Sequence, residues 1–202
     1  MARRSSHAPE TLREMILDAA ETLIRSGGLS GLSAREIARI IGYSPGTLYN
    51  VYANLDDIVL HVEARILDGM LVTLQGVPRN GPPEDVLARL VAAYLAYTEA
   101  NPRLWNLLFE HHLPAGLETP PWYCEKIERL MGELRGVLAP VVTAHGGDGA
   151  DVDLAATVLW SSVHGIASLA TTGKLANVTR SPAAELAGNL VSRYLAGLRP
   201  AA

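Results

Sequence analysis

The chain is short of the features on which several classes of protein depend. Its only cysteine is Cys124, so no intrachain disulfide can form and a reducing compartment suits it. No stretch holds roughly 18 uncharged apolar residues in a row, and no apolar run follows the two arginines near the start. Neither a membrane span nor a signal peptide is therefore expected, and the expected location is the cytoplasm. There is no Gly-x-Ser-x-Gly, no phosphate-binding glycine loop, no Cys-x-x-Cys and no His-x-x-x-His, which leaves catalysis and metal binding little to build on. Glu110-His111-His112 does not mend this, because adjacent histidines on a helix point about 100° apart and do not easily share an ion. These read as structural or surface histidines, and no metal or cofactor is expected. Paired acids such as Asp56-Asp57 sit at a helix start, where they complement the dipole. Hairpin signals, internal repeats and low-complexity tracts are missing too. Positive charge is scarce: 17 Lys and Arg stand against 21 Asp and Glu, for a net −4. Residues 1–54 hold six arginines and five acids, while the remainder has eleven basic and sixteen acidic side chains.

What the sequence has is apolar residues, 49 % of it, arranged with helical period. Leu12, Met15, Ile16, Ala19, Ala20 and Leu23 give one face of a helix over 10–26 that Gly27-Gly28 stops. Ser33 with Glu36 three residues later is a capping-box pattern, so a second helix starts there with Ala34, Ile37, Ala38 and Ile41 on its apolar face. Gly42 supplies a residue that can turn left-handed, and Ser44-Pro45 restarts a helix with an N-cap and a proline in its first turn. Two short helices at so tight a turn cross steeply, which is the geometry of a helix-turn-helix. Asn54 caps a long fourth helix reaching Gly76, and Val77 to Pro83 is the clearest internal break. Five more helices follow over 84–100, 102–112, 121 to about 145, 151–173 and 182–198, with Pro140 expected to kink or shorten the third of them. The fold class is all-α, with about nine helices. The domain reading is a helix-turn-helix unit over 1–54 and an effector-binding and dimerisation unit over 55–202.

Three blocks in order, Ile16-Leu17-Asp18-Ala19-Ala20 with Leu23 and Gly27 to Gly31, then Ser33-x-Arg35-Glu36-Ile37-Ala38, then Gly42 to Tyr49 with Tyr52, resemble the DNA-binding domain of TetR-type transcriptional regulators. Trp160-Ser-Ser-Val-His164-Gly165 is similar to the C-terminal domain of a TetR subgroup marked by Trp, His and Gly at this spacing. The resemblance implies that Pro45, Thr47, Tyr49 and Asn50 face DNA, with Ser33 and Arg35 from the preceding helix and Ser44 and Gly46 beside them. The residue types suit this. Thr47 can bond a base or phosphate, Asn50 can pair with adenine, Tyr49 can donate to phosphate, and Gly46 allows close backbone approach. Tyr49 and Tyr52 can instead pack the small domain, and packing is the reading preferred for Tyr52. One departure is Leu55, where the family usually carries a phosphate-binding lysine; Arg3, Arg4 or Asn54 are the residues at hand to replace it.

The resemblance also implies a ligand pocket in the second domain, where Tyr94, Tyr97, Trp105, Phe109, Trp122, Tyr123 and Trp160 gather. Such a lining suits a small apolar or aromatic effector. Aromatics at helical spacing are also ordinary core. His164 is either a core histidine or a polar handle for that effector. Ala155, Ala156, Ser161, Ser162, Gly165 and Ala167 in one of the last two helices, and Leu186, Leu190 and Val191 in the other, fit the pairing by which the family forms homodimers. The expected function is a ligand-responsive homodimeric regulator, a repressor of a palindromic DNA operator. Effector bound between helices four and eight would tilt the fourth helix and change the spacing of the recognition helices. The competing expectation is a helical small-molecule binding protein or enzyme that has lost specific DNA binding.

Overall fold

The computed structural model of the chain describes residues 7–198. Among the described residues there are nine α-helices and no strand. They are α1 (Pro9–Gly27), α2 (Ala34–Ile41), α3 (Pro45–Leu48), α4 (Leu55–Gln75), α5 (Pro83–Ala100), α6 (Pro102–Glu110), α7 (Pro121–Ala144), α8 (Gly149–Thr171) and α9 (Ala183–Gly197), with 3-10 turns at Leu29–Gly31 and Leu175–Asn177. They fall into two compact units. The first is Met1–Ile66 with Arg103–Thr119; the second is Leu67–Pro102 with Pro120–Ala202. The division runs through α4 and returns α6 to the first unit, so it follows packing and not a single cut in the chain.

The core of the first unit is the apolar stripe of α1 (Ile16, Ala20, Ile24) against Ile37 and Ala38 of α2, Leu48 of α3 and Ile58 and Val62 of α4, all buried. Leu104, Trp105 and Leu107 of α6 are buried as well. Arg65 of α4 reaches three acids of α1: it pairs with Glu14, with Asp18 at 2.7 Å and with Glu21 at 3.6 Å. In the second unit α8 packs on α5, α7 and α9. An 18-residue window of α8 has mean hydropathy 1.3 and is 28 % buried, so by length and composition α8 could cross a membrane. One face of it nevertheless lies within a helical layer.

One boundary and one proline differ from the sequence expectation for local reasons. Helix α8 begins at Gly149, because Asp148 is its N-cap: the Asp148 carboxylate accepts the Ala150 and Asp151 amides, and Asp151 Oδ2 accepts the Asp148 N–H at 3.0 Å. The helix expected over 151–173 thus starts earlier, on a full capping box between Asp148 and Asp151. Pro140 does not shorten α7, which continues to Ala144 with Leu138, Val141 and Val142 buried around the proline.

Candidate functional site

The helix-turn-helix is built by its caps. Ser33 Oγ accepts the Glu36 amide at 3.2 Å, starting α2. The Glu36 carboxylate does not complete the box; it pairs with Arg39 at 2.8 Å. Gly42 ends the helix at φ 75, and the Tyr43 N–H returns to the Ala38 carbonyl at 3.0 Å. A side chain at that φ costs about 1–2 kcal/mol. Gly42→Ala is therefore expected to lower stability by that amount in a thermal melt, with the helix content of the native state retained.

Helix α3 is one α-turn, after which Val51 and Tyr52 still donate to the Leu48 carbonyl at 3.0 and 2.9 Å. Ser44 is extended, as an N-cap is, but its hydroxyl meets the Thr47 hydroxyl at 3.0 Å and no amide. Leu48 and Tyr52 point inward. Tyr52 is 2 % exposed, its hydroxyl donates to the Arg13 carbonyl at 3.4 Å, and burial pushes its pKa up to about 12. This is the packing role preferred for it. Outward, Arg35, Ser44, Pro45, Gly46, Tyr49 and Asn50 are exposed, and Ser33 and Thr47 are half-buried. The row Thr47, Tyr49, Asn50 with Arg35 thus stands on a buried base. Asn54 Oδ1 accepts the Asp57 amide at 2.8 Å, and Asp57 Oδ2 accepts the Ala53 N–H at 2.8 Å, so α4 starts at a fixed point after α3.

His111, read from the sequence as a structural or surface histidine, is structural, and its partners are what the sequence reading left out. The imidazole of His111, just past α6, has Nδ1 3.0 Å from Glu63 Oε1 and Nε2 3.2 Å from Asp56 Oδ1. The side chains of His111 and Glu63 are 6 % and 4 % exposed. With a carboxylate at each ring nitrogen both must carry hydrogen, so the ring is an imidazolium. Its pKa is raised, first by the hydrogen bond to Glu63. Asp56 therefore does more than complement the helix dipole. At the other end of α6, Arg103 donates to the Arg25 and Ser26 carbonyls, capping the C-terminus of α1.

The aromatic residues expected to line a ligand site are distributed over both units. Trp105 and Phe109 belong to the first, their rings 6.1 Å apart, Trp105 buried and Phe109 41 % exposed. In the second unit Tyr94 Oη lies 2.8 Å from His164 Nδ1, and the His164 ring stacks on Trp160 at 5.4 Å. Burial lowers the His164 pKa, so this imidazole is neutral at physiological pH. Trp122 and Tyr123 make a separate edge-on pair at 5.8 Å. Tyr97 Oη rests against Gly69, where a β-carbon would lie 2.6 Å away. A groove of about 550 Å³ opens elsewhere, between α5, α7 and α9, and Leu95, Val141, His145 and Val191 are among its lining residues.

Two family models match this chain: bacterial regulatory proteins of the tetR family over residues 16–62, and the tetracyclin repressor-like C-terminal domain over residues 87–194. The chain belongs to the TetR family. A Mycobacterium tuberculosis protein described as an uncharacterized HTH-type transcriptional regulator is 26 % identical over 82 % of this chain and 73 % of its own length. A Rhodococcus sp. RHA1 protein of unknown function has the same fold, with TM-score 0.77 and 22 % identity over 97 % of this chain and 98 % of its own. FadR from Bacillus subtilis, solved with stearoyl-CoA, shares the fold at TM-score 0.67 and 18 % identity over 91 % and 98 % of the two chains. This TetR-family protein is thus a transcriptional regulator with a helix-turn-helix DNA-binding domain.

Proposed function

We propose that this TetR-family protein is a homodimeric repressor, released from a palindromic operator when a small hydrophobic effector binds its second unit. The observation that carries the reading is the row of exposed Arg35, Tyr49 and Asn50 with half-buried Thr47 over buried Leu48 and Tyr52: polar groups suited to bases and phosphates on a buried support. Ser33, Ser44, Pro45 and Gly46 complete the proposed contact surface. The effector site is assigned to the neighbourhood of Tyr94, Trp160 and His164, where a neutral imidazole and a phenol offer polar handles among apolar side chains. Tyr97, Trp122 and Tyr123 are the further candidates in that unit, and Trp105 and Phe109 in the other. That FadR from Bacillus subtilis was solved with stearoyl-CoA supports an apolar effector class. Helix α4 belongs to both units, so a tilt of α4 is the route by which an effector would reach the recognition elements.

The test is fluorescence anisotropy with a duplex recovered from a random-sequence selection. Thr47→Ala combined with Tyr49→Ala is expected to weaken specific binding on the order of 30-fold or more, since each lost contact is worth roughly 1–3 kcal/mol. Both side chains lie outside the buried core, so the melting temperature should not move. Recovery of no duplex by the unaltered protein would sink the reading.

A further inference from the structure

The recognition element hangs on the first turn of α4. Past Tyr52 the chain reaches Ala53, whose N–H donates to Asp57 Oδ2, while the Asp57 amide donates to Asn54 Oδ1. Whatever orients that turn therefore orients Thr47, Tyr49 and Asn50 just before it. Asp56 belongs to the same turn, and its Oδ1 lies 3.2 Å from His111 Nε2. Glu63, about two turns further along the same face, meets the other ring nitrogen at 3.0 Å. One imidazole thus spans the start of α4 and ties it to the segment after α6.

Asp56 and Glu63 are the charged groups that act on this ring. Asp57 beside them is turned to the Ala53 amide and to His61, 3.3 Å away. The acids of α1, Glu14, Asp18 and Glu21, are taken by Arg65. On the ring's own segment Glu110 and His112 are exposed. Each ring nitrogen needs its hydrogen to hold its carboxylate, so an imidazole that has given up a proton keeps a donor for only one of the two. The partners are unequal. Glu63, its side chain 4 % exposed, is cut off from water, whereas Asp56 at 36 % can turn to solvent. Proton loss accordingly releases Asp56. The hydrogen bond to Glu63 raises the pKa of the ring, which places that release above about pH 6.5.

We propose that His111 is a proton-controlled positioning residue for DNA binding: charged, it holds Asp56 and the junction of α3 with α4 in the geometry that reads the operator, and neutral, it lets Asp56 go and specific affinity falls. The proposal rests on the DNA-binding reading of α2 and α3. His111 itself lies beyond α6 and acts only through Asp56, so its effect is on the placement of the contacting side chains and not on their number.

The experiment measures anisotropy with the selected duplex for the full chain, D56A, D56N and the double variant H111L/E63L, with circular dichroism at each pH to verify that all are folded. D56A and D56N remove the same negative charge, which by itself would tighten binding to a polyanion. D56A should instead weaken specific binding by about tenfold or more, the equivalent of one charge-assisted hydrogen bond. D56N keeps an oxygen that accepts the Nε2 hydrogen, and should recover most of that loss. Between about pH 6.5 and 9 the wild type should lose specific affinity several-fold, and H111L/E63L should give a flatter profile. His7 and His61 are common to both chains, so the difference between the profiles belongs to the cluster. D56A binding as tightly as the wild type, D56N binding no better than D56A, or parallel pH profiles would each overturn the proposal. If the unaltered chain binds no duplex at all, it is the DNA-binding reading that fails.

Discussion

Replacing His111 by alanine is expected to destabilise the first unit by about 3 kcal/mol, because it strands the Glu63 carboxylate, 4 % exposed, without its counter-charge. This is the low end for breaking a buried ion pair, since Asp56 is partly solvated. Amide exchange in α1 and the first half of α4, compared with the wild type, measures it. Combining His111→Leu with Glu63→Leu should recover more than half of the loss, because apolar groups of similar volume leave no charge buried. The same cluster predicts a pH dependence with a definite sign. The folded-state pKa of His111 lies above the ordinary 6.5. Its contribution is therefore complete below about pH 6.5 and declines as pH rises through the folded value. The wild type should lose stability as pH rises from about 6.5, and His111→Ala should lack that decline.

The second large effect concerns α8. Leu154, Val158 and Leu169 are 62 %, 39 % and 39 % exposed, and with Ser161 and Gly165 they form one stripe along the helix. An apolar stripe with small residues at its middle suits close packing against a second copy, and a palindromic operator calls for a two-fold dimer. L154E/V158E should give a monomer in sedimentation while leaving the buried face of α8, Ala155, Leu159 and Val163, untouched. Operator affinity should then fall by at least about 10²-fold, since specific binding exceeds non-specific binding by 10³ or more and a lone module keeps little of that margin. A dimer of unaltered affinity would move the interface elsewhere.

What the sequence made legible was whatever is specified within a few residues. The N-caps at Ser33 and Asn54, the left-handed Gly42 and the inward Leu48 and Tyr52 all follow from local pattern. The Asp148 capping box was equally local, and its Asp-x-x-Asp spacing was open to view, although the helix was expected only from 151. The His111 cluster was of another kind. Glu63 and His111 are 48 residues apart, on helices whose approach no periodicity predicts, and Arg65 finds its acids at separations of 47 and 51. The aromatic residues between Tyr94 and Tyr123 are close in sequence, yet α6 carries Trp105 and Phe109 into a different packing unit from the others. Proximity along the chain was a poor guide to shared surroundings there.

The assignment of α6 to the first unit has a consequence for how such regulators can be recombined. A recognition head ending at residue 54, or even at Ile66, would lack Leu104, Trp105 and Leu107 from its interior and the Arg103 cap on α1, and in the longer of the two Glu63 would be left without His111. On the ribosome the head likewise cannot be completed until α5 and α6 have been synthesised. Exchange of heads between related regulators, in the laboratory or by gene fusion, would have to carry 103–119 along with the N-terminal segment, so the inheritable module is discontinuous.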